Sequence, residues 1–163
     1  RLDPNGVRLN MDDLNLLAFL RSELAELTPL ALNRGQELIL EAQEPGDYHL
    51  PADGPSLGIL LQNLVSNAVQ YTPDGGCIQV QLQATPMELV LQVLDSGPGV
   101  PVELRERLFE RFFRIGEGQG AGLGLSIVRR VVELHQGSIA LDESPLGGLR
   151  VSVRLPRRIS SAA

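Results

Sequence analysis

The chain has 163 residues, 43% of them hydrophobic and 21% charged, which suits one compact domain long enough to bury a two-layer core. A net charge of −6 and a pI near 4.9 argue against nucleic acid as a partner, and no apolar run approaches the ~20 residues that span a bilayer. All 14 basic residues are arginine, so the lysine-dependent phosphate sites of the P-loop and of the common protein-kinase fold cannot be built, while a single Cys77 excludes an internal disulfide.

Residues 11–34 place Leu16, Leu20, Leu24 and Leu27 at helical spacing, which predicts a core-packed helix with Asp12 or Asp13 capping its start. ELILEA (37–42) reads as a short strand after Gly35, and a second extended stretch runs from about Tyr48 to Leu50. Asp53 is placed to cap a long helix running to about Tyr71, closed by Pro73 and the turn Asp74-Gly75-Gly76. CIQVQLQA (77–84) and ELVLQVLD (88–95) read as a hairpin with one buried face. Beyond them lie a short helical stretch around 102–108, an irregular region at 110–121, a helix at 122–136 and the strands SIALDE (138–143) and LRVSVRLP (149–156). His49 and His135 stand far apart, which argues against a His/Cys metal centre. No repeat or linker suggests a second domain, and the alternation of elements implies a mixed sheet with helices on one face, a two-layer α/β sandwich.

Three stretches carry chemistry, in a fixed order. On the long helix, Leu57, Leu60, Leu61, Leu64 and Ala68 mark the core face, and Asn63 and Asn67 project from its edge about 40° apart. Their amide oxygens are hard donors that suit Mg²⁺ completed by substrate phosphates; two solvent-facing asparagines are the plainer reading. At the end of the second hairpin strand, Asp95 leads the turn Ser96-Gly97-Pro98-Gly99, which leaves a carboxylate beside nearly bare backbone. Such an acceptor fits the exocyclic amine of adenine and rejects guanine, although Asp-x-Gly-x-Gly is also a common tight turn. Third, Gly120-Ala121-Gly122-Leu123-Gly124-Leu125 opens a helix, where converging amides attract polyphosphate without lysine; alone it could also be a hinge. Phe109, Phe112 and Phe113, flanked by Arg107, Arg111 and Arg114, set an aromatic anchor beside that loop, the makings of a lid. Together the three stretches point to ATP.

NLVSNAVQYTP (63–73) resembles the N box of bacterial sensor histidine kinases, DSGPGV (95–100) their first glycine box, RLFERFFR (107–114) their F box and GAGLGLSIV (120–128) their second glycine box. The resemblance covers residues 12–156 and implies their catalytic ATP-binding domain, with 1–11 as a remnant of a dimerisation helix or linker and 157–163 as a tail. It implies the Bergerat fold: a mixed, mostly antiparallel sheet, about three helices on one face and a glycine-rich ATP lid. By the same resemblance, Asn67 binds Mg²⁺ with support from Asn63, Gln70 and Tyr71 lie near the nucleotide, and Asp95 reads adenine. Gly97 and Gly99 shape the base pocket, Phe113 anchors the lid, and Gly120, Gly122, Leu123, Gly124 and Leu125 cover the phosphates.

In the hydrolysing relatives a glutamate one turn before the metal-binding asparagine activates water; Asn63 stands there, and an amide cannot serve as that base. The resemblance therefore points to transfer of the γ-phosphoryl group to a protein histidine, with Asn63 and Arg114 as the catalytic residues. Neither His49 nor His135 is followed by the acidic-then-proline pattern of the family's acceptor helix, so both read as structural. The implied partners are the domain's own dimerisation and phosphoacceptor domain, outside this chain, and a response regulator. The implied setting is a cytoplasmic domain, monomeric alone, of a homodimeric parent anchored in a bacterial inner membrane. Gln70 in place of a basic residue, Ser96 in place of asparagine and a short lid at 115–119 depart from the family's pattern. They keep open a nucleotide-sensing module without phosphoryl transfer; a serine kinase of the anti-sigma type shares the fold.

Overall fold

One cleanly alternating strand and one nearly continuous apolar strand build the centre of the sheet. In the computed structural model, which describes residues 9–111, 113 and 124–158, β4 (Cys77–Ala84) and β5 (Glu88–Asp95) form the hairpin expected of them. Ile78, Val80 and Leu82 of one strand and Leu89, Leu91 and Val93 of the other are all buried. β7 (Leu149–Pro156) pairs antiparallel with β5, and β6 (Ser138–Glu143) pairs antiparallel with β7. On the other side β2 (Glu37–Ala42) runs parallel to β4, which gives the order β2-β4-β5-β7-β6. Helices α1 (Leu16–Leu32), α2 (Gly54–Tyr71) and α4 (Gly124–Leu134) bury their apolar stripes in one core with this sheet. A short helix α3 (Val102–Arg105) continues into a 3₁₀ turn, Glu106–Phe109, that packs on α4. The result is the expected two-layer α/β sandwich. Among the described residues no helix is long and apolar enough to cross a membrane.

The beginning of the chain departs from expectation. Asp12 and Asp13 cap no helix; they lie in β1 (Asp12–Asn15), paired antiparallel with β3 (His49–Ala52) in a separate two-stranded sheet. Asn15 caps α1 instead, its side-chain oxygen accepting from the Ala18 N–H at 3.2 Å. A four-residue polar strand has no periodicity of its own, and its partner lies beyond α1 and β2, so local pattern gives no sign of it. The second extended stretch correspondingly runs to Ala52.

α2 is held at both ends. At its start the Asp53 carboxylate accepts from the N–H groups of Ser56 and Asn10, each at 3.0 Å, as a helix cap should. At its finish the Gln36 side-chain amide donates to the carbonyls of Val69 (3.0 Å) and Thr72 (2.8 Å), and Arg34 reaches the Val69 carbonyl and the Asp74 carboxylate. These side chains satisfy carbonyls that a helix end leaves open. The last turns of α2, which carry Asn67 and Tyr71, are thereby fixed against the loop that leads to β2.

His135 joins α4 to the other end of α2. It is 2% exposed; its Nε2 accepts from the Asp53 N–H at 3.0 Å, which requires Nδ1 to hold the proton, and Nδ1 lies 2.9 Å from the Val131 carbonyl that receives it. This is the structural histidine expected. His49, on the surface, pairs with Asp13 at 3.0 Å.

Candidate functional site

Four pieces of chain converge at one end of the sheet. Leu64, Asn67, Ala68 and Tyr71 of α2, Val93 and Asp95 of β5, Leu125 of α4, and Leu149 and Val151 of β7 line one narrow cavity. Its walls are apolar, and its polar groups are the asparagine amide, the tyrosine and the aspartate.

Asp95 is the most constrained of these. It is 4% exposed, and its Oδ1 accepts from the backbone N–H groups of Gly97 (3.0 Å) and Leu149 (3.1 Å), while Oδ2 has no hydrogen-bond partner among the described residues. One oxygen is saturated by backbone and the other is left as a directed acceptor. Burial pushes the carboxyl pKa up, and the two N–H bonds pull it only part of the way back. The sign follows from linkage: the folded state takes up this proton at a less acidic pH than the unfolded chain, so ionising Asp95 removes stability as pH rises through that window. A ligand whose amine donates to Oδ2 is held only by the ionised form. Its affinity is expected to fall on acidification, with a midpoint raised from the ordinary aspartate value, and fluorescence titration of an adenine nucleotide across acidic pH checks this.

Glycines bring the pieces close enough. A Cβ on Gly97 would stand 2.5 Å from the Tyr71 carbonyl oxygen, and one on Gly148 would stand 1.9 Å from Asp95 Oδ1. The Gly148 N–H also donates to the Asp95 carbonyl at 3.2 Å, so the turn between β6 and β7 clips onto the end of β5 from both sides. Gly99, at φ +78°, stacks on that turn, a backbone conformation that a side chain would strain. At the mouth of α4, a Cβ on Gly124 would come within 2.9 Å of both the Oδ1 and Nδ2 of Asn67, so the amide lies flat against bare backbone.

Of the residues singled out by sequence, Asn67, Tyr71, Asp95 and Leu125 meet in the cavity, and Gly97, Gly99 and Gly124 stand against them. Asn63 does not line it; its Nδ2 donates 2.7 Å to the Ile59 carbonyl. Gln70 is half-buried outside the lining, and Phe113 packs on the core beneath the Arg107 guanidinium, 4.4 Å from the ring centroid. Arg114, Gly120, Gly122 and Leu123 lie outside the described residues, as do Phe112 and the segment 115–119. Sequence reasoning missed Gly148 and Leu149, whose backbone completes the aspartate's surroundings. The signal was a glycine pair placed directly before β7, the strand that neighbours β5.

Residues 52–159 match the family of histidine kinase-, DNA gyrase B-, and HSP90-like ATPases. The chain belongs to this family. Within it the domain is 37% identical over 152 residues to the sensor histidine kinase TmoS of Ectopseudomonas mendocina, covering 86% of this chain and 16% of that protein. It is 38% identical over 161 residues to the sensor protein kinase PmrB of Pseudomonas aeruginosa, covering 96% of this chain and 33% of that one. The chain thus spans a third or less of the length of these curated relatives. The solved catalytic domain of the histidine kinase ThkA superposes with a TM-score of 0.82 at 27% identity, covering 91% of this chain and 99% of that chain. ThkA in complex with the response regulator protein TrrA matches with a TM-score of 0.79 at 26% identity, covering 91% of this chain and 42% of the other. Sequence and fold together are those of the ATP-binding catalytic domain of a sensor histidine kinase.

Proposed function

We propose that this domain binds Mg-ATP and passes the γ-phosphoryl group to a histidine on a dimerisation domain outside the chain. The observation that carries the reading is the single cavity in which Asn67, Tyr71, Asp95 and Leu125 meet. Asp95 Oδ2 suits the exocyclic amine of adenine, whereas guanine would set an acceptor against a carboxylate. Bare backbone at Gly124 leaves the Asn67 amide uncrowded by any side chain there, as a hard-oxygen donor to a divalent cation requires. The magnesium ion would neutralise and orient the phosphates during in-line transfer.

In this reading Asn67 holds the metal, supported by Asn63, and Tyr71 lies along the nucleotide with Gln70 beside it. Gly97 and Gly99 shape the base pocket. Gly120, Gly122, Leu123, Gly124 and Leu125 cover the phosphates, and Arg114 meets the terminal one. Residues 12–156 form the catalytic unit, Phe113 anchors the lid, and a response regulator receives the phosphoryl group downstream. The parent protein is a homodimer anchored in the inner membrane with this domain in the cytoplasm.

Calorimetric titration with ATP, with and without Mg²⁺, tests the site. Wild type is expected to bind more tightly with the metal, and Asn67→Ala to lose roughly tenfold of that gain, the worth of one charge-assisted contact, while its metal-free affinity stays the same. Equal affinities in the two proteins under both conditions would remove Asn67 from the site. Incubation with the dimerisation domain and γ-labelled ATP tests the chemistry. An acid-labile, base-stable product is expected; an acid-stable one would indicate a serine kinase, and an unlabelled acceptor a sensing module.

A further inference from the structure

The wall of the cavity formed by α4 is braced from outside the cavity. Arg129 lies one turn beyond Leu125 and reaches across to the 3₁₀ turn, with its Nη1 2.9 Å from the Glu106 carboxylate and its guanidinium 4.6 Å from the Phe109 ring centroid. Its Nε is 3.8 Å from Glu133 on its own helix. Phe109 packs on the core next to buried Leu108, so the ring that Arg129 covers is itself held in place.

We infer that Arg129 is a positioning residue for the nucleotide: it clamps α4 to the Glu106–Phe109 turn and so sets where Gly124 meets Asn67 and where Leu125 enters the cavity wall. This rests on the adenine-nucleotide reading above. The ion pair alone is a weak brace, because the Glu106 side chain is 78% exposed. The stacked guanidinium is the stronger part, since a flat cation over an aromatic face fixes an orientation that a point charge does not. Gly124 can approach the Asn67 amide this closely only because it lacks a Cβ, which would fall 2.9 Å from it, so the placement of α4 decides that approach. A site held ready binds more tightly than one that must be ordered by its ligand, so loosening the clamp weakens binding without altering which base is read.

The test compares Arg129→Gln, Arg129→Lys, Phe109→Leu and the double variant Arg129→Gln/Phe109→Leu in this chain, using Mg-ATP and Mg-GTP as probes alongside thermal unfolding. Arg129→Gln is expected to lose roughly three- to tenfold in Mg-ATP affinity, and Arg129→Lys nearly as much, because lysine keeps the charge and forfeits the stacking. The ratio of ATP to GTP affinity stays at the wild-type value, because Asp95 is untouched. The double variant binds about as well as the worse single variant, since both changes break one contact. Wild-type affinity in Arg129→Gln, with or without a lower melting temperature, would overturn the inference, and so would full additivity in the double variant. If wild type itself binds no ATP, the nucleotide reading fails instead.

Discussion

Asp95→Asn is expected to weaken ATP binding roughly a hundredfold, about 3 kcal/mol, while leaving the domain at least as stable as wild type. The two outcomes come from the two carboxylate oxygens. Oδ1 accepts from Gly97 and Leu149, so an asparagine settles with its carbonyl oxygen there, and its NH₂ group takes the place of Oδ2. A donor then faces the adenine amine, another donor, and the pair repels where it had bonded. Guanine offers an acceptor at the same point, so the variant's preference should move toward GTP. Folding gains, if anything, because burial works against the charge of Asp95 and a neutral amide escapes that penalty. Parallel ATP and GTP titrations with thermal unfolding decide it; an unchanged preference for ATP in a folded variant would show that Asp95 does not read the base.

Gly148→Ala should be the most damaging single methyl among the described glycines. The new Cβ would fall 1.9 Å from Asp95 Oδ1, 2.6 Å from the Asp95 carbonyl oxygen and 2.7 Å from the Gly97 nitrogen. The latter two are backbone atoms, and the first is pinned by two hydrogen bonds, so no flexible side chain can yield. The expected loss is about 3 kcal/mol, which for a domain of this size lowers the melting temperature by roughly 6–12 °C. ATP affinity should fall as well, since the distortion is centred on Asp95. Gly147→Ala is the control: its φ of +104° strains an alanine, yet nothing lies within 4 Å of the added methyl. Its cost should stay near 1–2 kcal/mol with binding intact. Equal damage in the two variants would mean that backbone strain in the turn, and not contact with Asp95, is what matters.

The five strands of the main sheet were legible because each carries its own pattern, alternating apolar residues in β4 and β7 and a nearly continuous apolar run in the central β5. α2 was legible for a related reason, with Asp53 at its head and leucines at helical spacing. β1 was not, since Asp12–Asn15 is extended only by virtue of a partner that pairing brings from beyond β2. The cavity was half legible: Asn67 from its place at the edge of the helix's apolar face, Asp95 and Leu125 from their glycine-rich surroundings, and Tyr71 only through the family resemblance. Asn63 stays outside the cavity lining, its amide donating to a carbonyl one turn back on its own helix. Gly148 and Leu149 act through backbone atoms, and a backbone N–H reads the same in every residue. Only the strand order, which sets β7 beside β5, shows what those atoms meet.

The anchoring of α2 at both ends makes it the part of the domain expected to open last. Arg34 and Gln36 tie one end of α2, and Asp53 ties the other to His135 and hence to the tail of α4. Amide protons in α2 and near Val131 should exchange with solvent last, even with no nucleotide bound. Asn67, proposed above to hold the metal, would then sit on the slowest-exchanging wall of the cleft.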